Sequence, residues 1–293
     1  MTRFENKIDF VAIISVENAN ANGDPLNGNR PRTDYEGYGE MSDVCIKRKI
    51  RNRMQDMSEP GSVFVQSQDR ADDGATSLAN RSEKLGNIEK KEEYAKAACE
   101  KWIDVRTFGQ VFAFDKKGKK KGKDEEDGKG VSVGVRGPVS IHQAISVDPV
   151  DIISMQITKS VNGKETKNGE KAPDTIGSKH FVKFGVYKLK GSINVQLAEK
   201  TGFSVEDADL LKECLRTLFV NDCSAARPDG SMEVVKLYWF KHNCKDGQYS
   251  SRKVHDSVEI KHKDGIDCPA KIEDYEITLH NLEGLDVEEI EGV

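Results

Sequence analysis

The stretch VYKLKGSINVQL, residues 186–197, decides how the chain is to be folded. It alternates with period two. Tyr187, Leu189, Ile193, Val195 and Leu197 take one side; Lys188, Lys190, Ser192 and Asn194 take the other. That is a strand with one face turned to a core. SVEDADLLKECLRTLFVN follows, with Val205, Ala208, Leu211, Leu215 and Leu218 at helical spacing and Ser204 and Asp207 set as a capping box. EVVKLYWFKH, residues 233–242, then reads as another strand.

Toward the N-terminus the same grammar repeats. FVAIISVE, residues 10–17, is short, apolar and β-branched, the signature of a buried strand. SDVCIKRKIRNRMQDM reads as a helix, with Ser42 as N-cap, Asp43 in the first turn and a seam of Ile46, Ile50, Met54 and Met57. VSVGVRGPVSIHQAISV and DIISMQITKSV are strand-like but broken at Gly137-Pro138 and Asp148-Pro149. Residues 58–130 hold a helical piece near EKKEEYAKAACEKWIDV and the lysine-rich tract 116–130, and residues 162–179 read as a protruding polar loop. DYEITL offers one more strand before an acidic end. With the insertions set aside the order is β-α-β-β-α-β, an α+β, ferredoxin-like order shared with RNA-recognition-motif domains. Such an order licenses no function by itself.

Composition narrows the classes. Hydrophobic residues make up 36% and charged residues 32%, which predicts a modest core with large charged excursions. A net charge of -5 excludes a globally basic nucleic-acid binder and confines any such role to local patches. MTRFENKIDF has no apolar leader, no run is long enough to span a membrane, and the cysteines form no C-x-x-C pair. The expectation is a cytoplasmic protein with reduced thiols, no structural zinc and no cofactor.

The loop ENANANGDPLNGNRPR, residues 17–32, matches the first half of a calcium loop at Asn18, Asn20, Asn22 and Gly23. Its twelfth position is Asn29 rather than glutamate and no helix precedes it, so calcium is set aside. It also lacks the Gly-Lys-Ser/Thr ending of a phosphate cradle. Two readings stand: a series of turns built by Asn, Gly, Asp and Pro, or a turn that also offers Arg30 and Arg32 to an RNA backbone. The following helix carries Lys47, Arg48, Lys49, Arg51 and Arg53 with no acidic residue between Asp43 and Asp56. Like charges one turn apart cost helix stability, so the flank is either a solvated face or the seat of a polyanion. The lysines of 116–123 run straight into Asp124, Glu125, Glu126 and Asp127 and read as a solvated loop. Arg136 in VRGP and Arg227 in SAARPDG are each a carbonyl cap or a phosphate ligand. None of the six histidines has metal-site or hydrolase spacing, and His242 and Cys244, two apart, form no convincing dyad.

VENANANGDPLNGNRPR, SDVCIKRKIRN, DVRTFGQV, VRGPV with SVDPV, GSKHFVKFGVY, LAEKTGFS and SAAR occur in this order from residue 9 to 242. In that order they resemble the Cas7 backbone subunits of type I CRISPR surveillance complexes, most nearly the type I-C form, Csd2. The resemblance implies a modified RNA-recognition-motif palm, its first half at 1–57 and its second at 131–242. A helical finger would be inserted at 58–130, a β-hairpin thumb would lie near 152–184, and a C-terminal extension would cover 243–293. It implies a non-catalytic subunit that polymerises head to tail along crRNA and presents it for pairing with target DNA, with Cas5-type and Cas8-type partners and Cas3 recruited by the complex. By motif it puts Asn20, Asn22, Arg30 and Arg32 beside the guide backbone. Lys47, Arg48, Lys49 and Arg51 become the main electrostatic contact, with Arg136, Arg227 and, at the thumb base, Lys159, Lys179 and His180 as further candidates. The competing reading is a metal-independent nuclease that processes repeat RNA through His180 or His242.

Overall fold

A computed structural model describes residues 2–86, 88–113, 132–159 and 175–293, the side chains of Lys159 and Thr175 excepted. The lysine-rich tract and most of the loop 162–179 lie outside the described residues.

The strands are β1 (Ile8–Ala19), β2 (Gly23–Asp24), β3 (Arg30–Pro31), β4 (Tyr38–Met41), β5 (Gly109–Phe112), β6 (Val133–Arg136), β7 (Val139–Ile141), β8 (Ala144–Pro149), β9 (Ile152–Lys159), β10 (Thr175–Ile193), β11 (Met232–Lys241), β12 (Val258–His262), β13 (Tyr275–Leu279) and β14 (Asp286–Glu291). The helices are α1 (Asp43–Met57), α2 (Leu78–Ser82), α3 (Lys91–Lys101), α4 (Ile103–Phe108), α5 (Val195–Thr201), α6 (Val205–Arg216) and α7 (Ser251–Asp256). This is a mixed α/β fold around an antiparallel sheet of eight strands, ordered β14-β11-β1-β10-β8-β4, with β7 and β9 also on β10.

β1 explains its own sequence. Phe10, Ala12, Ile14 and Val16 enter a core with Ile46, Ile50 and Met54 of α1 and Leu211, Leu215 and Ala208 of α6. Val11 and Ile13 enter a second core with Val254, Val258 and Tyr275 of the C-terminal region. A strand covered on both faces has no polar side to alternate with, hence the unbroken apolar run. The predicted caps form: Ser42 Oγ accepts from Cys45 N at 3.2 Å, and Ser204 and Asp207 close the capping box of α6. Val205 is 37% exposed, so Cys214, fully buried, takes its place in the apolar stripe.

The deciding stretch holds as a strand only to Ile193. Asn194 then caps α5, accepting from Leu197 N at 2.8 Å, so Val195 and Leu197 belong to a helix. Its polar face is only partly solvated: Lys188 donates to the carbonyl of Val258 beneath the C-terminal region, while Lys190 keeps about a third of its side chain exposed.

The segment between α1 and β6 has a core of its own. Phe64 lies 4.6 Å from Trp102 and 5.0 Å from Phe112, ring centre to ring centre, with Val105 and Val133 beside them. It is tied to α6 by a buried fork in which Arg106 donates to both oxygens of Asp207, at 2.9 and 2.7 Å. Among the described residues no helix is long and apolar enough to cross a membrane.

Candidate nucleic-acid interface

The asparagine loop is built by its asparagines. Asn18 and Asn29 adopt left-handed backbone at φ 52° and 57°, a region asparagine tolerates better than most residues. Asn20 is buried and donates to the Asn29 carbonyl at 2.7 Å, while its backbone N–H reaches the carbonyl of Ala226 at 2.9 Å. Asn22 accepts from Ser42 N at 2.9 Å and so orients the start of α1. Asn20 and Asn22 therefore brace the loop. Arg32 pairs with Asp24 of the same loop at 3.3 Å and stays 40% exposed.

Arg30 does something else. Its guanidinium donates to Ser154 Oγ at 3.0 Å, and the ring of His180 shares that oxygen at 2.9 Å. Ser154 and His180 face each other across β9 and β10, with Lys179 next to them opposite Met155. The loop and the hairpin base, 124 residues apart, thus meet at one hydroxyl. Lys179 is half-buried and has no ion pair with any described residue, and neither does the exposed Arg136 at the end of β6. Arg136 is fixed there by a close backbone crossing: a side chain on Gly109 would meet Val135 O at 2.3 Å, and one on Gly137 would meet Thr107 O at 2.4 Å. Lys159 ends β9, but its side chain lies outside the described residues.

The basic helix corrects its own premise. The flank of α1 does have acidic and carbonyl partners, two at the ends of the helix itself and the rest from elsewhere in the chain. Lys47 pairs with Asp43 at 3.0 Å. Arg48 donates to the Val65 carbonyl at 2.8 Å, and burial together with neighbouring Arg51 pushes its guanidinium below its ordinary range. Lys49 is buried against Asp222 and over the ring of Phe219; burial pushes its ammonium down against the pull of Asp222. Arg51 donates to Asp104 at 2.9 Å, and Arg53 to Asp56 at 2.7 Å. Arg227 takes the same Asp222 oxygen as Lys49, at 2.9 Å. Asp104 is fully buried and also accepts from Phe64 N and Val65 N at 2.6 and 3.0 Å. Sequence reasoning missed Asp104, Asp222 and Ser154. Ser154 stood in a strand-like run and Asp104 at the start of DVRTFGQV, but neither pattern marked them as partners of the basic residues, and Asp222 had no local signal.

His242 is sealed. Its side chain is fully buried and meets Asp9 at 2.8 Å, while Gln248 N donates to its other nitrogen at 3.1 Å. Burial raises the Asp9 carboxyl, but His242, Ser251 and Lys7 outweigh it and hold it below the usual range. Among the described residues no group of three His, Cys, Asp or Glu is placed to hold a metal ion.

A family model described as CRISPR-associated protein Cas7 matches residues 6–280. The chain belongs to the Cas7 family. A CRISPR-associated protein Cas7 from Haloferax volcanii is 25% identical over 227 residues, which is 73% of this chain and 64% of that relative's length. Among solved structures, a chain of a CRISPR RNA-guided surveillance complex in a pre-nicking state covers 89% of this chain and 84% of its own, with a TM-score of 0.48 and 14% identity. A second chain, from a CRISPR RNA-guided surveillance complex, covers 89% and 78%, with a TM-score of 0.45 and 16% identity.

Proposed function

We propose that this Cas7 protein is a non-catalytic, type I-C-like backbone subunit that binds crRNA, repeats head to tail along it and holds it for pairing with target DNA. Family membership over residues 6–280 is the observation that carries the reading. The strand order β11-β1-β10-β8, with α1 and α6 on one face, supports a ferredoxin-like palm related to the RNA-recognition motif. The separate aromatic core after α1 supports a finger at about 58–130, and the β9–β10 hairpin supports a thumb near 152–184. Cas5-type and Cas8-type subunits, with Cas3 recruited later, complete the assembly in this reading.

Among the basic residues singled out from the sequence, the guide contact is assigned to those that no described carboxylate engages: Arg30 and Lys179 with His180 at the loop–hairpin junction, and Arg136. Contacts of that kind take phosphate without reading sequence. The burial of His242 supports leaving it out of any chemistry, and the repeat-processing alternative then rests on His180 alone. The test is purification of the full chain and of Arg30→Ala/Lys179→Ala. The parent is expected to carry RNA of uniform length, and the variant to lose it while keeping its unfolding midpoint. A parent free of nucleic acid, or a variant with undiminished RNA, sinks the proposal. Cleavage of repeat RNA by the purified chain, abolished by His180→Ala, selects the nuclease instead.

A further inference from the structure

The sheet carries an open cleft that shares no residue with the loop–hairpin junction. Strands β8 and β10 line one side, and β12 with the end of α7 lines the other. Its volume is about 700 Å³, inside the range of roughly 300–1,000 Å³ usual for small-molecule sites. Lys188 and Lys190 are two apart on β10 and so point to the same side. Ile145 sits directly across from Lys188. Val147 continues the apolar surface, and Val258 and Ile260 face it from β12. The result is a pair of ammonium groups beside an apolar slot.

The carboxylates at the cleft are already engaged. Asp256 has Lys190 at 3.7 Å and Arg252 at 3.6 Å. Glu259 has Lys261 at 2.9 Å and His280 at 3.1 Å. Lys188 and Lys190 thus line the cleft together with two carboxylates that Arg252, Lys261 and His280 also hold from outside it, and His142 lines the cleft as well. Burial, then the neighbouring Lys190, pushes the Lys188 ammonium down to about 8, against the pull of Asp256 and Glu259. An anion seated between the two lysines would offset both effects.

We propose that this cleft binds a nucleoside phosphate, with the phosphate between Lys188 and Lys190 and the base in the slot of Ile145, Val147 and Ile260. The ligand is a free mononucleotide or one unit of a strand passing the cleft; the recognition chemistry is the same. The inference does not depend on the guide-contact assignment.

The test is photolabelling of the full chain with an azido derivative of AMP, and separately with a short oligoribonucleotide carrying the same base, followed by peptide mapping. Saturable labelling is expected within 143–147 or 258–260, blocked by excess AMP and not by adenosine. Lys190→Glu, on the exposed side of the cleft, should weaken it by about tenfold or more. Lys188→Met serves as a second variant, with thermal unfolding confirming that each is folded. Labelling by the oligonucleotide assigns a passing strand; labelling by the mononucleotide alone assigns a free nucleotide. Labelling only elsewhere, equal protection by adenosine, or undiminished labelling of both folded variants overturns the proposal. Arg30→Ala/Lys179→Ala should leave cleft labelling intact, which separates its failure from that of the guide reading.

Discussion

Replacing Arg51 with alanine separates a structural cation from an RNA-binding one. Arg51 is 12% exposed and donates to an Asp104 carboxylate that has no exposure at all. Breaking one partner of a buried pair costs about 3–5 kcal/mol. Asp104 keeps its bonds from Phe64 N and Val65 N, so the low end applies, about 3 kcal/mol. At a urea slope of about 3 kcal/mol/M that lowers the unfolding midpoint by about 1 M. RNA binding gives the opposite signature. Each phosphate contact on a single strand adds about 0.7 to the slope of log K against log salt concentration. Arg30→Ala/Lys179→Ala should therefore reduce the slope by about 1.4 while changing stability by only about 0.5 kcal/mol. Arg51→Ala should leave the slope unchanged. The measurements are urea melts and fluorescence anisotropy of labelled RNA over a salt series. An Arg51→Ala protein with the parental midpoint and a slope reduced by about 0.7 would refute the assignment.

Other outcomes follow from single contacts. A side chain on Gly191 would lie 2.2 Å from the Phe10 ring and 2.8 Å from the Ser140 carbonyl, so Gly191→Ala should cost about 1–3 kcal/mol in a urea melt. Ser204→Ala removes the capping oxygen of α6 and should cost about 1 kcal/mol by the same assay. Asp148 accepts from Tyr275 at 2.6 Å and contacts His262 at 2.9 Å, and its hydrogen bond to His262 holds that imidazole above its ordinary range. A raised histidine stabilises fully below its unfolded value, and the contribution is lost as pH rises through the folded one. Hydrogen exchange of the β12–β13 hairpin should thus quicken from about pH 6 to pH 8 beyond its intrinsic rate, and His262→Gln should remove that excess.

What could be read in advance was whatever a short window determines. The strand at 10–17, the capped helices α1 and α6 and the break at Gly137-Pro138 are all local patterns, and all formed, while Asp148-Pro149 stayed inside β8 and the interruption came just after it. The alternation through Leu197 misled because SINVQL carries both a period of two and an N-cap, and Asn194 chose the helix. The acidic β14 gave no sign of being a strand. It pairs with β11, where Lys236 lies 3.5 and 3.3 Å from Glu289 and Glu291.

The premise of an uncompensated basic helix failed for a different reason. An uncompensated run of cations is a statement about neighbours in sequence, while electrostatics acts between neighbours in space. Arg51 finds Asp104 53 residues away, and Lys49 finds Asp222 173 residues away. Such a run is therefore weak evidence for a polyanion unless the fold leaves it unpaired. The reverse inference is stronger. Lys179 and Arg136 stand in no conspicuous run, and Arg30 is paired only with a neutral hydroxyl. Their positive charge is met by no carboxylate among the described residues, and it is uncompensated charge, not charge density along the chain, that a phosphate backbone can use.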